Sequence, residues 1–237
     1  MLYSVAGIVL VFMALLAKKN TLFALGCFGL GLFGYLVQAS ALKVVPDALV
    51  QQALRDFGEG AQARVQRWQA LFPQLQDADE ATKLKEVNAF FNAEIRFVSD
   101  LRHWRKDDYW ATPYEALSTH GGDCEDFVIA KYHALRHLGV GGDKLRITYV
   151  KAIRLNEAHM VLTYFPTKDA VPLVLDNLIG IIASADKRSD LVPVYSFNAE
   201  GMWLERMKGE GVRMGNPNKL DLWTDLRVRM HKLGLDL

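Results

Sequence analysis

Cysteine is nearly absent: the 237 residues contain two, Cys27 and Cys124. That excludes a multi-bridge disulfide scaffold, so the core must come from apolar packing. An excess of charge of one sign is also missing. Lys and Arg total 28 against 27 Asp and Glu. No basic field exists to hold nucleic acid. The chain has no internal repeat, no low-complexity tract and no long Pro/Gly/Ser linker. With 51% hydrophobic and 23% charged residues it is not a disordered polymer either.

The apolar residues are unevenly spread. Residues 1–41 carry only Lys18 and Lys19 as charges. Two apolar runs, Met1–Ala17 and Thr21–Val37, flank Lys18-Lys19-Asn20, and Ala39-Ser40-Ala41 follows as a small-x-small cleavage pattern. Read from Met13, this is a basic n-region, an apolar h-region and a signal-peptidase site. The rival reading is a two-helix anchor over residues 1–37 with a cytoplasmic Lys18-Lys19 turn. Both readings place the domain 42–237 outside the cytoplasm, in the periplasm. Cys27 lies inside the second apolar run as filler. Cys124 is then the single cysteine of an oxidising compartment, and a reactive thiol gains weight there.

Helical periodicity is expected over Asp47–Phe72, ended by Pro73, then over Asp79–Phe97, Pro113–Leu117 and Cys124–Leu138, closed by Gly139. The pattern changes at Leu145–Ala152, which alternates and is rich in β-branched residues. His159–Phe165, Pro172–Asn177 and Val192–Phe197 are further strands. Leu220–Leu233 is helical again, with Trp223, Leu226, Met230 and Leu233 as a stripe that docks on the core. Helices first and a compact sheet afterwards predict an α+β domain.

The richest stretch is Gly121-Gly122-Asp123-Cys124-Glu125-Asp126. Asp123 is a good N-cap and Asp126 stands in the capping-box position. Cys124 therefore falls in the first helical turn, where free N–H groups and the dipole favour a thiolate. A plain buried cysteine is the competing explanation. Acidic neighbours argue against it, because apolar burial does not tolerate them unpaired.

A thiolate nucleophile needs a base, and the base an orienting group. His103, His120, His133, His137 and His231 lie among charges or turns and read as surface residues. His159 opens an apolar strand. If His159–Phe165 and Ala170–Asn177 form a hairpin with a four-residue loop, Pro166–Asp169, His159 lies directly opposite Asp176. An unpaired Asp176 beside Leu173-Val174-Leu175 would be costly, which supports the pairing.

Trp110-Ala111-Thr112-Pro113, the Cys124 stretch, Ala158-His159-Met160-Val161, Leu175-Asp176-Asn177 and Pro193–Asn198 together resemble the bacterial transglutaminase-like cysteine proteinases, and among them the LapG-type proteases. The resemblance spans roughly Trp104 to Trp203. It implies a papain-like or transglutaminase-like core and a catalytic triad of Cys124, His159 and Asp176. It implies a periplasmic endopeptidase that cuts the N-terminal region of a large surface adhesin at a paired-alanine site, releasing it and so dispersing biofilm. It also implies inhibition by an inner-membrane receptor for cyclic di-GMP. Calcium dependence comes with it, the implied ligands being Asp123, Glu125 and Asp126, with backbone carbonyls near Asp107 and Tyr109.

Elementary electrostatics fits an ion there. Asp123 and Glu125 should disfavour a thiolate at Cys124, and Ca²⁺, which prefers hard oxygen ligands, would cancel that penalty. Helix capping by the same carboxylates needs no ion. The Cys124 N–H is a natural oxyanion donor. Trp110 either lines the cleft, offers its indole N–H, or is a core tryptophan. Three other functions use the same residues: a transglutaminase-like acyltransferase, a thiolate metal site with His159 or His120, and a non-catalytic calcium-binding module.

Overall fold

The computed structural model describes residues 43–204, 212–215 and 220–236. The expectations for the leader, Met13 and Cys27 lie outside the described residues. Among the described residues no helix is long and apolar enough to cross a membrane.

The first half is helical. α1 (Asp47–Phe57) and α2 (Glu59–Leu75) replace the single helix expected over 47–72. Gly58 breaks it at φ 84°, a conformation in which a side chain is strained. Its N–H closes α1 on Leu54 O, and its carbonyl opens α2 by accepting from Gln62 N. Phe57, placed on the buried stripe by periodicity, is instead exposed. Pro73 does not end α2. It sits in the last turn, where it removes one intrahelical bond while buried Leu71, Phe72 and Leu75 hold the turn against the core.

α3 (Glu80–Glu94) is capped by Asp79, whose side chain accepts from Thr82 N, and ends before Phe97. A four-residue α4 (Asp100–His103) follows. α5 (Pro113–Thr119) has proline in its first turn and a reciprocal Thr112–Glu115 capping box. α6 (Cys124–His137) is unlike the others. Every residue from Glu125 to Leu135 is buried, so it is a central helix with no solvent face. That overturns the surface reading of His133, which is fully buried between Trp68 and His137.

The second half builds one antiparallel sheet in the order β4-β3-β2-β1-β5-β6-β7. The strands are β1 (Leu145–Ala152), β2 (Glu157–Tyr164), β3 (Leu173–Leu175), β4 (Ala183–Ser184), β5 (Leu191–Phe197), β6 (Met202–Leu204) and β7 (Val212–Gly215). The hairpin register differs from the one expected. Leu162 pairs with Leu175, Thr163 with Val174 and Tyr164 with Leu173. The connection is the longer run 165–172, and β3 is only three residues. Continued in this register, Asp176 falls opposite Val161, which makes it a diagonal neighbour of His159 rather than its direct partner.

α6 packs on β1 and β2, and α3 lies against α6. α7 (Asp221–Lys232) buries Trp223, Leu226 and Met230, as the stripe predicted. Trp223 meets Tyr132 and Phe197 edge-on. Truncating such a side chain costs about 3–5 kcal/mol. The architecture is α+β, with the core between α6 and the sheet.

Candidate active site

The head of α6 is fastened before its chemistry begins. Gly122 N donates to Arg96 O, and its carbonyl accepts from Val98 N. This main-chain bridge ties the residues before α6 to the segment that leads into Asp100. Gly122 must be glycine: a Cβ there would lie 2.5 Å from Asp126 Oδ2. Asp126 is fully buried, and its carboxylate accepts from Ala111 N at 2.6 Å and from Asp123 N at 3.2 Å. Its oxygens are thus committed to the backbone.

Cys124 is half-buried at this point. Its thiol donates to Glu125 Oε2 at 3.0 Å. Burial raises the thiol pKa, the Glu125 and Asp123 charges raise it further, and a hydrogen bond from the Met160 main chain opposes them. The helix-dipole expectation of a ready thiolate is therefore overridden, first by burial and then by two adjacent carboxylates.

Those carboxylates belong to a cluster. Asp100, Asp123 and Glu125 each place an oxygen within 4.8 Å of the others. Asp100 Oδ2 accepts from Tyr109 N, and Asp123 Oδ2 from Asp100 N at 3.2 Å. Burial holds Asp100 up at about 6. Burial and then the Glu125 charge hold Asp123 up at about 8. Burial also raises Glu125. Oδ1 of Asp100 and Oδ1 of Asp123 are buried without a hydrogen-bond partner. Three converging carboxylates, two of which carry an orphaned buried oxygen, fit a divalent cation. Asp126 does not join them. Asp107 lines the adjoining cavity, and Tyr109 meets Asp100 through its N–H.

The imidazole lies across the cavity. His159 Nε2 and Asp176 Oδ1 are 2.8 Å apart, both buried. Diagonal placement across the ladder still lets them meet. Asp176 Oδ1 also accepts from Leu178 N, and Oδ2 from Arg188 Nη2 at 2.8 Å. Burial opposes the Asp176 charge, but the His159 and Arg188 contacts outweigh it and hold the pKa at about 2. With Nε2 committed to Asp176, Nδ1 is the ring nitrogen left for proton exchange.

One cavity of about 640 Å³ is lined by Cys124, His159, Asp100, Asp123, Glu125 and Trp110. Tyr149 and Tyr195, stacked at 5.1 Å, form part of its wall. Trp110 is buried and stacks on Phe197. Arg229 from α7 pins the Trp110 carbonyl. Two residues escaped the sequence reading. Asp100 comes from a four-residue helix with no periodicity to flag it. Arg188 follows a single 3₁₀ turn, Ala185–Lys187, and its only sequence mark is Asp190 two residues on.

Residues 57–205 match the family model described as bacterial transglutaminase-like cysteine proteinase BTLCP. Among solved structures the chain is similar to Legionella pneumophila LapG, both in an EGTA-treated structure and in a second structure. Each is 39% identical with TM-score 0.69, covering 79% of this chain and 98% of that one. It is similar also to calcium-bound Legionella pneumophila LapG at 40% identity and TM-score 0.66, over 76% of this chain and 97% of that one. No curated protein matches.

Proposed function

This chain belongs to the bacterial transglutaminase-like cysteine proteinases, and from that premise we propose that it is a calcium-dependent cysteine endopeptidase acting in the periplasm. The observation that carries the reading is the shared cavity. Cys124, at the head of α6, and His159, backed by Asp176 at 2.8 Å, line the same space.

In this reading neutral His159 takes the Cys124 thiol proton on Nδ1, and Sγ attacks a peptide carbonyl and forms the S–C bond as the carbonyl π electrons move to oxygen. The oxyanion takes a hydrogen bond from the Cys124 N–H at the helix start. His159 Nδ1 passes its proton to the leaving amine as the C–N bond breaks. The ring then takes a proton from water, whose oxygen attacks the thioester, and returns it to sulfur as the acid product leaves. Asp176 holds the ring in the tautomer this requires. Asp100, Asp123 and Glu125 would hold the calcium ion, a choice supported by the calcium-bound LapG structure. Bound there, the ion supplies positive charge that offsets theirs beside the thiol.

The substrate is the N-terminal region of a large surface adhesin, cut at a paired-alanine site. Cleavage releases the adhesin and disperses biofilm, and an inner-membrane cyclic di-GMP receptor restrains the enzyme. Residues 1–41 direct or anchor the domain outside the cytoplasm. The substrate, cleavage and receptor assignments follow from similarity to LapG-type proteases, and that for residues 1–41 from their two apolar runs and small-x-small pattern. The test is incubation of the chain, with calcium, with adhesin N-terminal fragments, followed by mass spectrometry of the new termini. A single cut between paired alanines, absent in Cys124→Ala, is expected. Full cleavage by Cys124→Ala would end the reading.

A further inference from the structure

Asp176 occupies a weakly built place. It follows a three-residue strand, and the next residues, Leu178, Ile179 and Ile181, are exposed. A side chain there needs external fixing to keep one oxygen on an imidazole. Asn92 supplies part of it by donating to the Asp176 main-chain carbonyl at 2.8 Å. The carboxylate itself is oriented by Arg188, whose Nη2 donates to Oδ2 at 2.8 Å, the oxygen that His159 does not use.

Arg188 is held in turn. Its Nε and Nη2 donate to Asp190 Oδ1 at 3.0 Å and Oδ2 at 2.9 Å, a two-point fork. The Arg188 side chain is 4% exposed, Asp176 0% and Asp190 22%. The charges alternate from Asp176 to Arg188 to Asp190. Lys131 on α6 also acts electrostatically on Asp176, but its Nζ makes no hydrogen bond and cannot orient a carboxylate.

We propose that Arg188, clamped by Asp190, is a positioning residue that locks the Asp176 carboxylate so that Oδ1 stays on His159 Nε2. This rests on the reading of Cys124, His159 and Asp176 as a proteolytic triad. Lysine at 188 keeps the charge but cannot span both acids as a planar fork. Asp190 touches neither His159 nor Asp176, and it is partly exposed, so Asp190→Asn loosens the clamp while leaving the core intact.

The test has two independent readouts on the full chain. Ring-¹⁵N NMR of His159 reports tautomer and Nε2–H exchange, and steady-state kinetics on an adhesin N-terminal fragment reports kcat and KM. In the wild type the neutral ring is expected as the Nε2–H tautomer with a slowly exchanging proton. Arg188→Lys and Asp190→Asn should speed that exchange and lower kcat about tenfold with KM nearly unchanged, the cost of a slightly misplaced catalytic group. In an Asp176→Ala background, Asp190→Asn should lower kcat no further. The inference is overturned if the His159 signals are unchanged in both variants. It is equally overturned if Asp190→Asn costs the same factor with and without Asp176. If the ring responds as expected but the wild type cuts no fragment, the proteolytic reading fails and the clamp stands.

Discussion

The two walls of the cavity solve their electrostatics differently. On the His159 side the hydrogen-bonded charges answer one another in series: imidazole on Asp176, Asp176 on Arg188, Arg188 on Asp190. On the Cys124 side like charges crowd. Asp100, Asp123 and Glu125 converge, burial pushes their pKa values up, and burial together with the Glu125 and Asp123 charges pushes up the thiol. One wall is a finished network. The other is complementary to something positive, and among the described residues no basic side chain forms an ion pair with Asp100, Asp123 or Glu125. The contrast assigns separate duties. Under the proposed function, the sheet supplies a pre-set base, and the head of α6 supplies a nucleophile whose readiness depends on a cation.

Removing the nucleophile is the largest way to break this pairing. Cys124→Ala should lower kcat/KM on an adhesin fragment by about a thousandfold or more, since members of such a unit fail together. Retained turnover would move the chemistry elsewhere. Asp176→Asn attacks the finished wall and should cost roughly 10²–10⁴-fold in kcat, because the wrong ring nitrogen then carries the proton. Calcium tests the unfinished wall. At calcium a hundredfold above its Kd, linkage contributes about 2.7 kcal/mol, which for a domain of this size raises Tm by about 5–10 °C. EGTA should reverse the shift and abolish cleavage. Asp100→Asn should weaken calcium about tenfold or more, since charge count at the site sets affinity. A melt indifferent to both EGTA and Asp100→Asn would make the cluster a set of caps.

The smallest effect is a pH signature of the finished wall. Asp176 is held at about 2, below the roughly 3.9 of an unfolded chain. Its share of stability is therefore present above pH 4 and lost as pH falls through 2. Unfolding free energies of wild type and Asp176→Asn from urea titrations should differ most near pH 5, by on the order of 2 kcal/mol, and converge towards pH 2.5. A constant gap across that range would remove the charge of Asp176 from the account.

The same division governs what could be read in advance. The Cys124 end was legible because it is local. Asp123, Cys124 and Asp126 stand at fixed capping offsets, and the helix bounds came within a residue. β1 was legible from its alternation. His159 and Asp176 were paired for a sound reason, the cost of a lone acid among Leu173, Val174 and Leu175. The register used to pair them was wrong by two, because a long loop and a three-residue strand leave little pattern to count. The Gly58 break was hidden by an apolar period that runs through it, although a glycine stood there. His133 was misplaced because one histidine in a fully enclosed helix looks like one on a surface. Asp100 and Arg188 were out of reach for a physical reason. Each meets its partner through tertiary contact, across 23 residues for Asp100 and Asp123 and 12 for Arg188 and Asp176.

The central claim is that the Cys124 sulfur forms a bond to substrate with His159 managing the proton. Acid quenching of the calcium-loaded chain within the first turnover on an adhesin N-terminal fragment, followed by intact-mass and peptide analysis, tests it most directly. The account predicts a thioester on Cys124 that carries the N-terminal product and is lost on hydrolysis. Cleavage with no such adduct, continuing after Cys124 is alkylated, would contradict it.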